Sequence, residues 1–115
     1  MYINQLTRIQ KMNLAGLTKI EYAKSLEALL EVALEQNSSA SEAAAEVILS
    51  LNNGPIWKLN LCSLSSLDGE NYLAAMRCIH GKKQFITEPQ ALIKNASTLL
   101  LKLKKKYDYL KLKKN

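Results

Sequence analysis

TKIEYAKSLEALLEVALEQ, running from Thr18 to Gln36, decides the fold class. Thr18 followed three positions later by Glu21 is a helix start in which side chain and backbone satisfy each other's orphan donors. Leu17 and Tyr22 occupy the flanking positions of a hydrophobic staple. Tyr22, Leu26, Leu29 and Ala33 then alternate with Ala23, Leu30 and Leu34 at steps of three and four, which makes a wide apolar face. Glu27, Glu31 and Glu35 form the opposite row. A helix over 18–36 is expected, one face buried and an acidic row in solvent.

Two further stretches repeat the cap signature: Ser39 with Glu42, and Thr87 with Gln90, the latter with Pro89 in the first turn. After Ser39, the residues Ala40, Ala44, Val47, Ile48 and Leu51 share a face, and Asn52-Asn-Gly-Pro55 supplies the stop. Short loops on both sides suggest antiparallel neighbours in a bundle. Leu61, Leu64 and Leu67 recur every third residue among serines, the spacing of a single turn or a short 3₁₀ piece. Asp68 caps a helix in which Tyr72, Leu73, Met76 and Ile79 are expected to turn inward and Gly81 to act as left-handed terminator. Arg77, Lys82 and Lys83 complement its C-terminal dipole. From Glu88 onward, Leu92, Ala96, Leu99, Leu103 and Leu110 follow three-four spacing, and Ile93, Leu100 and Tyr107 repeat at seven. This predicts one helix of about 25 residues, with Asn95 and Ser97 as its weak points. A short helix over 3–13, carrying Ile3, Leu6, Ile9 and Met12, is expected ahead of Gly16.

The fold expected is therefore all-α: a small helical bundle of four main helices with an extended basic C-terminal helix. Residues 1–101 make one domain, its core over 17–95, and 102–115 an extension. At 115 residues the chain has the size of one domain, and 48% apolar residues is ordinary for a globule. Two cysteines are too few for a disulfide framework, no N-terminal stretch resembles a secretory signal, and no apolar run approaches the roughly 20 residues of a membrane span. A cytoplasmic location is expected.

The formal net charge of +6 is confined to the last fourteen residues, where seven lysines meet one acid, Asp108. Lys102, Lys104, Lys105, Lys106, Lys111, Lys113 and Lys114, with Tyr107 and Tyr109, are the candidate binding residues. They suit a phosphate backbone by charge alone, although no arginine among them reads bases or clamps phosphate bidentately. The same stretch also reads as an amphipathic helix packed on the core or on a second copy, with Glu27, Glu31 and Glu35 as its electrostatic counterpart. A membrane-surface role would need a stronger apolar face than Leu110 and Leu112.

From Leu26 to Pro89 the order of features resembles a small uncharacterised family of bacterial proteins carried on prophages and plasmids. The residues that carry the resemblance are Leu26-Glu-Ala-Leu-Leu-Glu-Val-Ala33, Val47-Ile-Leu-Ser-Leu-Asn52, Leu59-Asn-Leu-Cys-Ser-Leu through Leu67-Asp68, and Tyr72-Leu-Ala-Ala-Met-Arg-Cys-Ile79, with a later proline. The chain departs from that pattern at Leu51 and Asn52, where the family tends to have tryptophan, and in its basic tail. The resemblance implies a compact helical core and a mobile-element origin, and it assigns no catalytic residue.

Chemistry offers little else. Cys62, Cys78 and His80 are three ligands where a structural zinc site takes four in paired spacings. The bland reading is a buried Cys78 and a solvated His80. A Cys62–His80 nucleophilic pair has no activating context. The acidic row lacks the Glu-x-x-His partners of a carboxylate-bridged metal site and reads as a solvated face. No phosphate loop, dinucleotide fingerprint or nucleophile elbow is present, and Trp57 reads as core. The expectation is a protein that is not an enzyme, holds no cofactor or metal, and works as a phage or plasmid accessory factor by binding a protein partner, with inhibition of a host defence complex as one form. Nucleic-acid binding through the tail is the alternative, and a homodimer through the C-terminal helix accompanies either.

Overall fold

Thr18 begins the first helix as its spacing predicts. In the computed structural model, which describes residues 14–86 and 91–112, Thr18 is extended and caps α1, Lys19–Glu35. Its Oγ1 accepts from the Glu21 amide at 3.1 Å while Glu21 Oε1 accepts from the Thr18 amide at 3.0 Å. These bonds, the backbone one foremost, hold the Glu21 carboxyl below its ordinary value. Replacing Thr18 by Ala is expected to cost about 1 kcal/mol in urea unfolding at neutral pH. Because the folded-state pKa of Glu21 is depressed, the box contributes above the ordinary value of 4.5 and is lost as pH falls through the folded value. The penalty of the substitution should therefore shrink in acid.

The second helix, α2, spans Ser39–Asn52 and starts one residue earlier than expected. Its cap is Ser38, whose Oγ accepts from the Ser41 amide at 3.2 Å, and Ser41 Oγ accepts from the Ser38 amide at 2.8 Å. In a run of serines and alanine either phase closes the box. The phase adopted buries Ser41 and leaves Glu42 available to another partner. Asn53 ends the helix with its amide on Leu49 O. From Ala43 to Leu49 every residue of α2 is buried, because α1, the helix over 69–85 and the following 3₁₀ turn all pack on it. A stretch of helix buried all round must be central, and three successive alanines allow close neighbours.

The leucine-serine stretch forms a 3₁₀ helix, Leu61–Ser66, capped by Asn60 Oδ1, which accepts from the Cys62 amide at 3.0 Å. Asp68 then caps α3, Gly69–Phe85, with Oδ1 accepting from the Asn71 amide at 2.9 Å. Two expectations fail in α3. The buried row is Ala74, Ala75, Cys78 and Gly81; of the residues expected inward, Tyr72 is exposed, Leu73 and Met76 are half-buried on the flanks, and Ile79 alone packs, half-buried, against the core. Small residues face the core because α3 lies tightly on α1, so the larger ones are displaced to the flanks. Gly81 does not end the helix, which continues to Phe85; the left-handed cap residue is Ile86, at φ 48°.

The long C-terminal helix is also corrected. Asn95 stands in the left-handed region, φ 63° and ψ 19°, and α4 runs only from Ala96 to Lys106. A 3₁₀ turn, Asp108–Leu110, follows. Asn tolerates that conformation where most residues do not, and the break falls at one of the two weak points. α4 passes unbroken from the neutral part of the chain into the basic part, burying Ala96, Leu100 and Leu103, with Tyr107 beyond it. The outcome is an all-α globule of four main helices, with no strand among the described residues. Tyr22, Leu26, Leu29, Ile48, Leu49 and Leu103 are its largest fully buried side chains, and Trp57 is in the core. Among the described residues, no helix is long and apolar enough to cross a membrane. The expected helix at 3–13 and the Thr87–Gln90 cap with Pro89 lie outside the described residues.

Candidate functional site

α1 ends at Glu35 with unsatisfied carbonyls and no basic residue in its last turn, so a cation there has to come from elsewhere in the fold. Lys106 supplies it. Its Nζ donates to Ala33 O at 2.8 Å, Leu34 O at 3.2 Å and Gln36 O at 2.6 Å. Tyr107, buried beside it, donates from its hydroxyl to Ala33 O at 2.8 Å, and the Lys106 ammonium stands 5.2 Å from the Tyr107 ring centroid. Further on, Tyr109 Oη donates to Glu42 Oε2 at 2.9 Å, and the Leu112 amide donates to Ile56 O at 3.0 Å. The C-terminal strip is thus tied to α1, α2 and the Ile56 segment in turn.

These ties divide the candidate binding residues. Lys106 and Tyr107 are structural anchors. Lys102, Lys105 and Lys111 are exposed, Lys104 is half-buried, and Lys113 and Lys114 lie outside the described residues. Exposed apolar groups stand among the lysines: Leu101 at 55%, Tyr109 at 64% and Leu112 at 47%. The Tyr109 hydroxyl is pushed up to about 12, by partial desolvation first and then by its bond to Glu42.

Under the strip lies a polar cleft of about 580 Å³ between the start of α2, the 3₁₀ helix and Lys106 to Tyr109. Five serines line it, with Glu42 and Glu46. Glu46, 8% exposed in the otherwise apolar stretch from Ala43 to Leu49, is satisfied through Oε1, which accepts from the Asn60 amide at 3.0 Å. Its role escaped the sequence reading because the loop donor fourteen residues on has no local signal. No histidine or cysteine lines the cleft. Cys78 is buried in α3 with its thiol pushed up to about 12 by burial, Cys62 is exposed on the 3₁₀ helix, and His80 is half-buried on α3. Among the described residues, no three His, Cys, Asp or Glu side chains gather as a metal-binding group.

A second concavity, about 460 Å³, runs along α1. Glu27, Glu31 and Glu35 rim it; Leu30, Leu34, Ile93 and Leu99 give it an apolar floor, and Lys94 stands at its edge. The acidic row is therefore one wall of a groove that α4 and the turn before it complete, a feature invisible until those elements meet α1.

Residues 23–106 match the family model of DUF7673, a family of unknown function, and the chain belongs to that family. The match covers most of the buried core, leaving out Leu17, Tyr22 and Tyr107, and reaches Lys106, past the Leu26–Pro89 region on which the resemblance rests. No curated protein and no solved structure matches the chain.

Proposed function

We propose that this DUF7673 member works by binding another protein, without catalysis, and that the C-terminal strip carries the contact. The observation behind this reading is the triple anchoring of the strip through Lys106 and Tyr107, Tyr109, and the Leu112 backbone. Anchoring turns a basic tail into a preformed surface, which lowers the ordering cost of association. Leu101, Tyr109 and Leu112 interleaved with Lys102, Lys105 and Lys111 suit an acidic protein surface with apolar recesses, where the charges steer encounter and the apolar groups hold. An accessory role on a phage or plasmid, inhibiting a host defence complex, is the narrower form of this proposal and rests on the sequence resemblance.

The lysines also favour a second reading, nucleic-acid binding, against which Asp108 within the strip and Glu42 of α2, bonded to Tyr109, work by placing negative charge there. The test is affinity capture from cells that encode the protein, full-length wild type beside a Lys102→Glu/Lys105→Glu/Lys111→Glu variant. A nuclease-resistant protein recovered only by the wild type supports protein binding. Material lost on nuclease treatment, with affinity falling steeply as salt rises, replaces it with the second reading. Charge reversal is preferable to truncation at Leu101, which would delete Leu103 and Tyr107 from the core.

A further inference from the structure

We infer that the protein associates with itself through a two-fold contact in which the exposed stripe of α4 on one copy lies in the α1 groove of the other. A row of acids alone would signify only a wet helix face. Here the row rims an apolar floor of Leu30, Leu34, Ile93 and Leu99, a combination that fits a basic helix bearing an apolar knob. α4 itself presents that helix: Lys102 and Lys105 are exposed on its outer side, with Leu101 at 55% exposure beside them. Glu27, Glu31 and Glu35 are spaced about 6 Å apart along α1, and Lys102 and Lys105 about 4.5 Å apart along α4, so each lysine finds a carboxylate within side-chain reach.

The apolar knob of the stripe cannot serve its own groove. Leu99 lines the groove, and Leu101 stands about 200° further round α4, facing away. Stripe and groove nevertheless border each other, since Lys102 follows Leu99 by one turn. Two adjacent, complementary patches are what an isologous pair requires, each copy giving its stripe and receiving the other's. The formal +6 of each copy opposes approach at long range, but at physiological salt this is screened over about 8 Å, and the local pairing decides. Because the contact uses Lys102 and Lys105, it competes with the partner surface; that consequence alone rests on the function proposed above.

Sedimentation velocity on the purified full chain tests the contact without any partner. Wild type should show concentration-dependent dimers. Lys102→Glu/Lys105→Glu and, separately, Glu27→Lys/Glu31→Lys/Glu35→Lys should each weaken dimerisation at least about tenfold. An equimolar mixture of the two variants should dimerise as wild type does, since both stripe–groove contacts in the mixed pair are again complementary. Leu101→Asp, which alters no lysine or glutamate, should weaken the dimer as well. All these side chains are exposed, and circular dichroism checks that each variant is folded. A wild type that stays monomeric into the millimolar range, variants that dimerise normally, or a mixture that stays dissociated would each overturn the inference. The glutamate variant keeps every lysine, so undiminished partner capture by that monomer supports competition, and lost capture refutes it while leaving the dimer intact.

Discussion

Gly81→Ala is expected to destabilise the protein by about 2 kcal/mol, although alanine is the better helix former. A Cβ at Gly81 would stand 2.6 Å from Cγ and Cδ1 of Tyr22 and 2.9 Å from Cδ2. Tyr22 is completely buried, and its ring stacks on Phe85 with centroids 5.9 Å apart. The ring is held in place, so the added methyl must push α3 off α1. Overpacking of this kind costs about 1–3 kcal/mol, occasionally more, against about 1 kcal/mol regained in helix propensity, and the close contact makes the upper end of the cost apply. Gly81→Leu should prevent stable folding. The cause is checked by repeating Gly81→Ala in a Tyr22→Leu background, where the ring is gone: there the alanine should be neutral or stabilise by about 1 kcal/mol, giving a coupling of roughly 2–3 kcal/mol in urea unfolding. An alanine that stabilises the wild type would show that the ring yields freely and that Gly81 does not set the α1–α3 distance.

The same contact explains why one part of the fold was legible in sequence and another was not. The start of α1 rests on Thr18, Glu21 and a stripe of large apolar residues, all within nineteen positions, and local rules suffice for them. Gly81 also looks local, a lone glycine ahead of Lys82 and Lys83, the usual appearance of a helix end. Its actual constraint comes from Tyr22, far away in the chain, and no window along the sequence contains both. The inward row of α3 misled for a related reason. Large residues mark a core face only where helices stand at ordinary distance; where Gly81 and Ala74 allow close approach, Leu73 and Met76 are squeezed aside and Ile79 reaches the core only in part. The break at Asn95 was visible as a weak point, whereas heptad-like spacing on both sides of it argued for continuity. Here spacing picks out the buried Ile93, Ala96, Leu100, Leu103 and Tyr107 and does not report whether the backbone between them is one helix.

The basic strip shows the limit of reading charge from composition. Seven lysines look equivalent in sequence, yet the fold gives adjacent members different work, and the sharpest comparison is Lys105 with Lys106. Lys105 is exposed, and Lys105→Met should change stability by no more than about 0.5 kcal/mol. Lys106→Met removes the ammonium that closes the end of α1 and should cost about 2 kcal/mol, the range of a charge-assisted hydrogen bond whose acceptors lose their partner. Tyr107 adds a graded series. Tyr107→Phe deletes only the bond to Ala33 O and should cost about 1–2 kcal/mol; Tyr107→Ala also empties a buried ring site and should cost about 4 kcal/mol, a large part of the 5–15 kcal/mol typical of a whole domain. Urea unfolding of the four variants measures all of this. If Lys106→Met were as mild as Lys105→Met and Tyr107→Phe were neutral, the strip would be held by neither anchor, and the basic end of the chain would have to be treated as a mobile arm. With the expected order, the strip is part of the folded core at Lys106 and Tyr107, and only Lys102, Lys105 and Lys111 among the described lysines of the strip project fully from it to meet another molecule.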